Sequence, residues 1–412
     1  MRRRIILWGA FAVVHALVAW LGWVMPNQPM GDVYFVYEPW SNAALKGSDI
    51  VGITETWVYP HLALAPMVLA HAFGWLGYTV AWAVLVTLCD AAAFHLLLGD
   101  ARSRSRRAAA RFWLAFILLL GPVGMYRIDA ITVPIAIAGV LWLARRPLVA
   151  SALLTAGAWI KVWPAALLAA AFVAVPRGHG RRRGEIATGA LVTSAVIVLV
   201  VVLAGGVTHL LGFVTEQTGR GLQIEAPVST AYMWGAALRV EGWWLFYDRD
   251  ILTFQVTGPK VDAVIAVMTP LLALAVAGVA ALGAVKAARG ASARRLLPPL
   301  ALALVATLIV LNKVGSPQFH DWLIAPLVLW LVLDRRRARP LAALALLSAA
   351  LTQLVYPLLY GQLLGAEAVA VAALTARNVV LVALLAWAVV RVVRVPIPAA
   401  VRRPSVAIPE AV

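Results

Sequence analysis

Apolar runs close to the length of a bilayer crossing, about 20 residues, recur along this 412-residue chain with short arginine clusters between them. Inside a membrane every backbone N–H and C=O must be paired within the protein, which leaves helices as the form such runs can take. Hydrophobic residues make up 63% of the sequence and charged residues 13%. Mean hydropathy is +0.89, outside the range of soluble globular domains. The pattern predicts one all-α, polytopic membrane domain over 1–412, with about twelve spans. They fall at 5–25, 77–98, 112–125, 131–143, 148–159, 164–175, 186–203, 261–285, 296–311, 323–333, 341–360 and 369–390. The basic start and first run read as a retained anchor rather than a cleaved signal. Two polar loops stand out, 26–76, with a juxtamembrane helix at 61–73, and 209–259.

The net charge of +17 is not a nucleic-acid footprint, because the basic residues lie between apolar runs. Of the 35 Lys and Arg, 26 fall on the side of the termini, in clusters such as Arg102–Arg107, Arg177–Arg183 and Arg335–Arg339. That side is therefore cytoplasmic. Thirteen of the 18 carboxylates fall on the opposite side. The single cysteine, Cys89, permits no intramolecular disulfide.

Between the ninth and tenth runs, 312–322 reads N-K-V-G-S-P-Q-F-H-D-W. Charges near a bilayer are costly and gather where they line a polar cavity, although Gly-Ser-Pro also makes an ordinary turn. Arg127, Lys161 and Lys313 lie at the outer ends of three different helix pairs. Singly each reads as a snorkelling cation; together they could hold one phosphate. Asp32, Glu38, Asp49 and Glu55 in the first loop could take a proton from an attacking hydroxyl. His320, beside Asp321, is expected at the outer surface as a phosphate or proton-transfer group, with a cap on the tenth span as the structural alternative. There is no His/Cys cluster at ligand spacing and no Walker or GxGxxG loop, so the reading requires no metal, nucleotide or other cofactor.

These segments carry a resemblance. N-K-V-G-S-P-Q-F-x-x-W-L, the first-loop G-D-V-Y-F-V-Y with its later Y-P-H, and W-I-K-V-W-P around Lys161 resemble motifs of polyprenol-phosphate-mannose-dependent mannosyltransferases of the GT-C superfamily. The order of landmarks is similar to glycosyltransferase family 87, which includes actinobacterial enzymes of phosphatidylinositol mannoside and lipomannan synthesis. Tyr59-Pro60-His61 stands where that family often has Tyr-Pro-Pro. The resemblance implies a GT-C-like fold and an inverting transfer from a polyprenyl-phosphate sugar donor to a glycolipid acceptor. It places the reaction on the outer face of a bacterial cytoplasmic membrane, with both termini inside. Asp32 would be the base, and Lys161 and Lys313 would hold the donor phosphate, joined by Arg127 on charge grounds. Gln318 and His320 would stand beside them, and Tyr34, Tyr37, Glu38, Tyr59, His61 and Trp322 would meet the sugar or lipid.

The competing reading is a lipid or sugar transporter. Asp90 lies within the second span and the third to sixth spans are short and proline-broken, but no paired halves of the transporter kind are visible. The charge asymmetry makes a direct prediction. In a Cys89→Ala background, cysteines at Ser48 and Gly219 should react with an impermeant thiol reagent in intact cells, and those at Ser103 and Gly180 should not. Labelling of the second pair without permeabilisation would reverse the orientation.

Overall fold

The computed structural model describes residues 2–176, 178–249, 251 and 253–398. Arg177, Arg402 and Arg403, counted above among the cytoplasmic cations, lie outside the described residues. All twelve expected spans fall on helices. In chain order the helices are α1 (Arg2–Val24), α2 (Glu38–Lys46), α3 (Leu64–Ala70), α4 (Tyr78–Leu98), α5 (Arg104–Leu120) and α6 (Asp129–Trp142). There follow α7 (Pro147–Ile160), α8 (Pro164–Ala174), α9 (Gly180–Leu203), α10 (Gly212–Thr218) and α11 (Thr230–Ala237). The last six are α12 (Val261–Ala288), α13 (Ala293–Val310), α14 (Ile324–Leu333), α15 (Arg335–Gln353), α16 (Tyr360–Leu364) and α17 (Ala368–Val393).

Among the described residues, eight helical segments are long and apolar enough to cross a membrane alone. The other four expected spans, α6, α7, α8 and α14, have 14, 14, 11 and 10 residues. At 1.5 Å per residue they reach about 15–21 Å, against about 30 Å of hydrocarbon. Proline at the first turn starts α7 and α8, where its missing N–H costs nothing. Lys161, in extended backbone, ends α7. The short helices can sit at membrane depth because longer ones surround them. Most residues of α13 and α14 are buried, and α13 packs against α8, α12, α14 and α17.

The outermost helices show the opposite pattern. On α9, Leu191, Val196, Leu199 and Val200 are exposed, and on α12 so are Val267, Leu271 and Leu274. Apolar stripes that long require lipid to cover them, so this is an all-α membrane protein. Ser48, Ser103, Gly180 and Gly219 are all exposed, as labelling requires.

Both polar loops are more ordered than the sequence suggests. The first is helical from Val33, through a π-turn over Val33–Tyr37 into α2, which stops at Gly47 in the left-handed region. The expected juxtamembrane helix is present as α3, flanked by 3-10 turns at His61–Ala63 and His71–Leu76. The second loop contains α10, α11 and an antiparallel hairpin of β1 (Trp244–Asp248) and β2 (Thr253–Thr257). The run W-L-F-Y-D is thus a strand in an otherwise helical protein; its aromatic residues suit a pleated, half-exposed surface.

Candidate functional site

The site begins with the turn between α5 and α6. Trp82 Nε1 donates to the Met125 carbonyl at 3.0 Å, Tyr126 Oη to that of Ala19 at 3.1 Å, and Ile128 N–H to Tyr37 Oη at 3.0 Å. These three bonds pin the turn to α4, α1 and the first loop. They aim Arg127, only 6% exposed, at the first loop, where its guanidinium pairs directly with Asp32. Arg127 Nη2 also donates to Tyr356 Oη at 3.0 Å. Burial works against the guanidinium charge, but Asp32 and the surrounding tyrosines outweigh it and raise the pKa. Asp32 keeps about a third of its side chain exposed, 34% against 7% for Arg127. It therefore forms the open lip of the pair.

Two residues further on, Asp129 opens α6 and is completely buried. Trp322 Nε1 donates to its Oδ1 at 2.6 Å, and Lys161 Nζ lies 4.0 Å from its Oδ2. The Lys161 ammonium also sits over the Tyr59 ring, 4.4 Å from its centroid, a cation–π arrangement. Burial pulls the Lys161 pKa down and Asp129 opposes it. Tyr37 and Tyr59 are pushed up, first by burial; neighbouring Asp32 and Asp129 push in the same direction. Arg220 from the second loop joins them, acting electrostatically on both Lys161 and Tyr59. The Nε groups of Arg127 and Arg220 are buried and have no hydrogen-bond acceptor.

The expected residues therefore divide. Asp32, Arg127, Lys161, Tyr37 and Tyr59 come together. Within that group Tyr37 is fully buried and its hydroxyl anchors the Arg127 turn, so it positions a cation rather than meeting a substrate. The same correction applies to Trp322, 6% exposed and stacked between Phe319 and Trp163 while it holds Asp129.

Lys313 belongs to the neighbouring part of the face. Its carbonyl accepts from Gln223 N–H at 3.1 Å, and its side chain is buried. Gln318 is buried and accepts from Ser316 Oγ. His320 is not at the outer surface: it is 1% exposed, and its Nδ1 donates to the Pro317 carbonyl of its own turn at 3.0 Å. A 3-10 turn over Pro317–Leu323 sends neighbouring side chains in different directions, so Asp321 is not its partner. Glu38 starts α2, Tyr34 packs edge-on to Phe35, and His61 lies between Gly52 and the rings of Trp159 and Phe213.

Sequence reasoning missed Asp129, Arg220, Tyr356 and a second buried pair, Glu225–Arg377. An arginine in the middle of the apolar run 369–390 was the available signal for the last. Arg377 donates to Glu225 Oε2 at 2.5 Å, and to the Glu225 carbonyl and Asn378 Oδ1. Asn378 in turn donates to Thr230 Oγ1 at 2.9 Å. The pair clamps the second loop to α17. The loop then crosses the 312–316 turn so closely that a Cβ on Gly315 would lie 2.1 Å from Ala226 N. Gly315 serves that close approach as well as the turn. The sequence reads Asp-Arg-Asp over 248–250, which corrects the reading that no D-x-D spacing is present; Asp250 lies outside the described residues.

No protein family, curated protein or solved structure matches the chain.

Removing one member of a buried ion pair strands the other charge, at a cost of about 3–5 kcal/mol. Arg377→Met should therefore destabilise the protein by about that amount in denaturant titrations in micelles. Glu225→Leu combined with Arg377→Met should recover most of the loss. A single-mutant loss below about 1 kcal/mol, the scale of a surface pair, would mean that the clamp does not hold the loop.

Proposed function

We propose that the protein is a GT-C-like membrane glycosyltransferase with twelve helical segments at membrane depth. It moves a sugar, mannose by resemblance, from a polyprenyl-phosphate donor to a glycolipid acceptor on the outer face of a bacterial cytoplasmic membrane. One observation carries the phosphate side of this reading: the Nε groups of buried Arg127 and half-buried Arg220 have no hydrogen-bond acceptor, and both side chains act electrostatically on Lys161. Buried donors are almost always satisfied, and a phosphate offers the acceptors these lack. Lys313, which the resemblance assigns to the donor, would meet it from the neighbouring turn.

In the reaction the acceptor hydroxyl attacks the anomeric carbon from the face opposite the phosphate. The bond between that carbon and the phosphate oxygen breaks, and its electron pair leaves with the polyprenyl phosphate. A β-linked donor thus gives an α-glycoside. Asp32 takes the hydroxyl proton, and the three cations balance the charge gathering on the leaving phosphate. An arginine paired to the base weakens it. The donor phosphate competes for Arg127, and as Arg127 turns toward it Asp32 becomes available as a base.

The transporter reading keeps one specific observation, Asp90 buried in α4 and paired with His15 of α1. Charges in such places often mark transport pathways.

Asp32→Asn preserves shape and removes the base. Donor binding should survive while transfer by the purified variant falls about 10²–10⁴-fold, the usual worth of general-base catalysis. Glu38→Gln and Asp49→Asn should stay near wild type. Near-normal transfer by Asp32→Asn, or a collapse in only one of the other two, would remove Asp32 from this role.

A further inference from the structure

Beneath the outer site lies a second group of ionisable side chains. His15 on α1 and Asp90 on α4 are each 3% exposed, and Asp321 on the 3-10 turn is 1% exposed. Asp90 and Asp321 line one small cavity, too tight to admit a water molecule. The rest of its lining, Trp113, Ile117, Gly124, Ala130, Val133 and Ile324, carries no charge. Asp90 Oδ1 and Asp321 Oδ2 are both buried without a hydrogen-bond partner.

Hydrogen positions follow from the partners. His15 Nδ1 is 2.9 Å from the Phe11 carbonyl, which can only accept, so Nδ1 carries a hydrogen. His15 Nε2 is 3.0 Å from Asp90 Oδ2, and a hydrogen must lie between them as well. Whether the pair is imidazolium with carboxylate or imidazole with carboxylic acid, it holds one dissociable proton. The orphaned oxygens of Asp90 and Asp321 make no second hydrogen bond, even to the Trp113 indole N–H that lines the same cavity and is itself unpartnered, and there is no room for water to supply one. Ionised carboxylates in such surroundings are neutralised by a proton unless a cation pairs them.

We propose that His15, Asp90 and Asp321 form a buried proton-binding site that holds an exchangeable proton beyond the one shared by His15 and Asp90. The charged groups facing it are few. Asp129 on α6 and Asp90 on α4 both act electrostatically on Asp321. Arg127 and Lys161 stand beyond Asp129, and α5 and α14 present no charged residue to the cavity. Asp129 is the route to the outer face, because Ala130 next to it already lines the cavity. Trp322, which follows Asp321, donates to Asp129. A proton on Asp321 is therefore felt at the carboxylate that pairs with Lys161. The inference does not depend on sugar transfer.

Infrared spectroscopy of the full chain in lipid nanodiscs at neutral pH tests it without substrate. The wild type should show the carbonyl stretch of a protonated carboxylic acid, shifted down in D2O and shifted again by ¹³C-aspartate labelling. The band should disappear in Asp321→Asn or Asp90→Asn. Absence of an aspartic-acid band in the wild type would overturn the proposal, and so would a band that neither substitution changes. The isotope arm uses wild-type protein alone, so absence of the band overturns the proposal even where a variant fails to fold.

Discussion

A charge removed from water must find its opposite close by, and the candidate site is arranged around that constraint. Asp32 meets Arg127, Asp129 meets Lys161 and Glu225 meets Arg377. Each pair joins segments far apart in sequence: the first loop to the α5–α6 turn, α6 to the end of α7, the second loop to α17. Such pairs add little net stability over apolar replacements, but breaking one is costly. They therefore act chiefly as registers, deciding which loop lies against which helix end.

The short helices give those registers their depth. α6, α7, α8 and α14 are shorter than a bilayer crossing, and polar side chains gather at their ends. Aromatic residues close the gaps they leave: Trp163 donates to Thr132 Oγ1 at 2.9 Å, and its ring lies nearly parallel to that of Trp322. The resulting basin is apolar-walled, with cations that are buried and positioned in advance. Electrostatic contacts are worth most in such surroundings. Asp32, part-exposed at the lip, is the member of its pair open to solvent.

Much of the architecture was legible because hydropathy and arginine placement are local signals. The eight helical segments long enough to cross a membrane lie where the apolar runs predict spans, and the clustering of polar motifs drew attention to Asp32, Arg127 and Lys161. Pair identities were not legible, since nothing in a single sequence says that Trp322 will reach Asp129, 193 positions away. His320 was misplaced for a related reason: proximity to Asp321 in sequence suggested a surface pair, whereas the 3-10 turn separates the two and buries both. The hairpin went unread because its aromatic strand sits in a long polar loop, where periodicity is weak evidence.

The central claim is that the cation basin and Asp32 together transfer a sugar from a lipid-phosphate donor. The most direct measurement places the purified protein in lipid with radiolabelled polyprenyl-phosphate-mannose and a phosphatidylinositol-mannoside acceptor. The account predicts label in the acceptor as an α-linked sugar, removable by α-mannosidase, with unlabelled polyprenyl phosphate left in the membrane. Intact donor crossing the bilayer with no labelled product would contradict it.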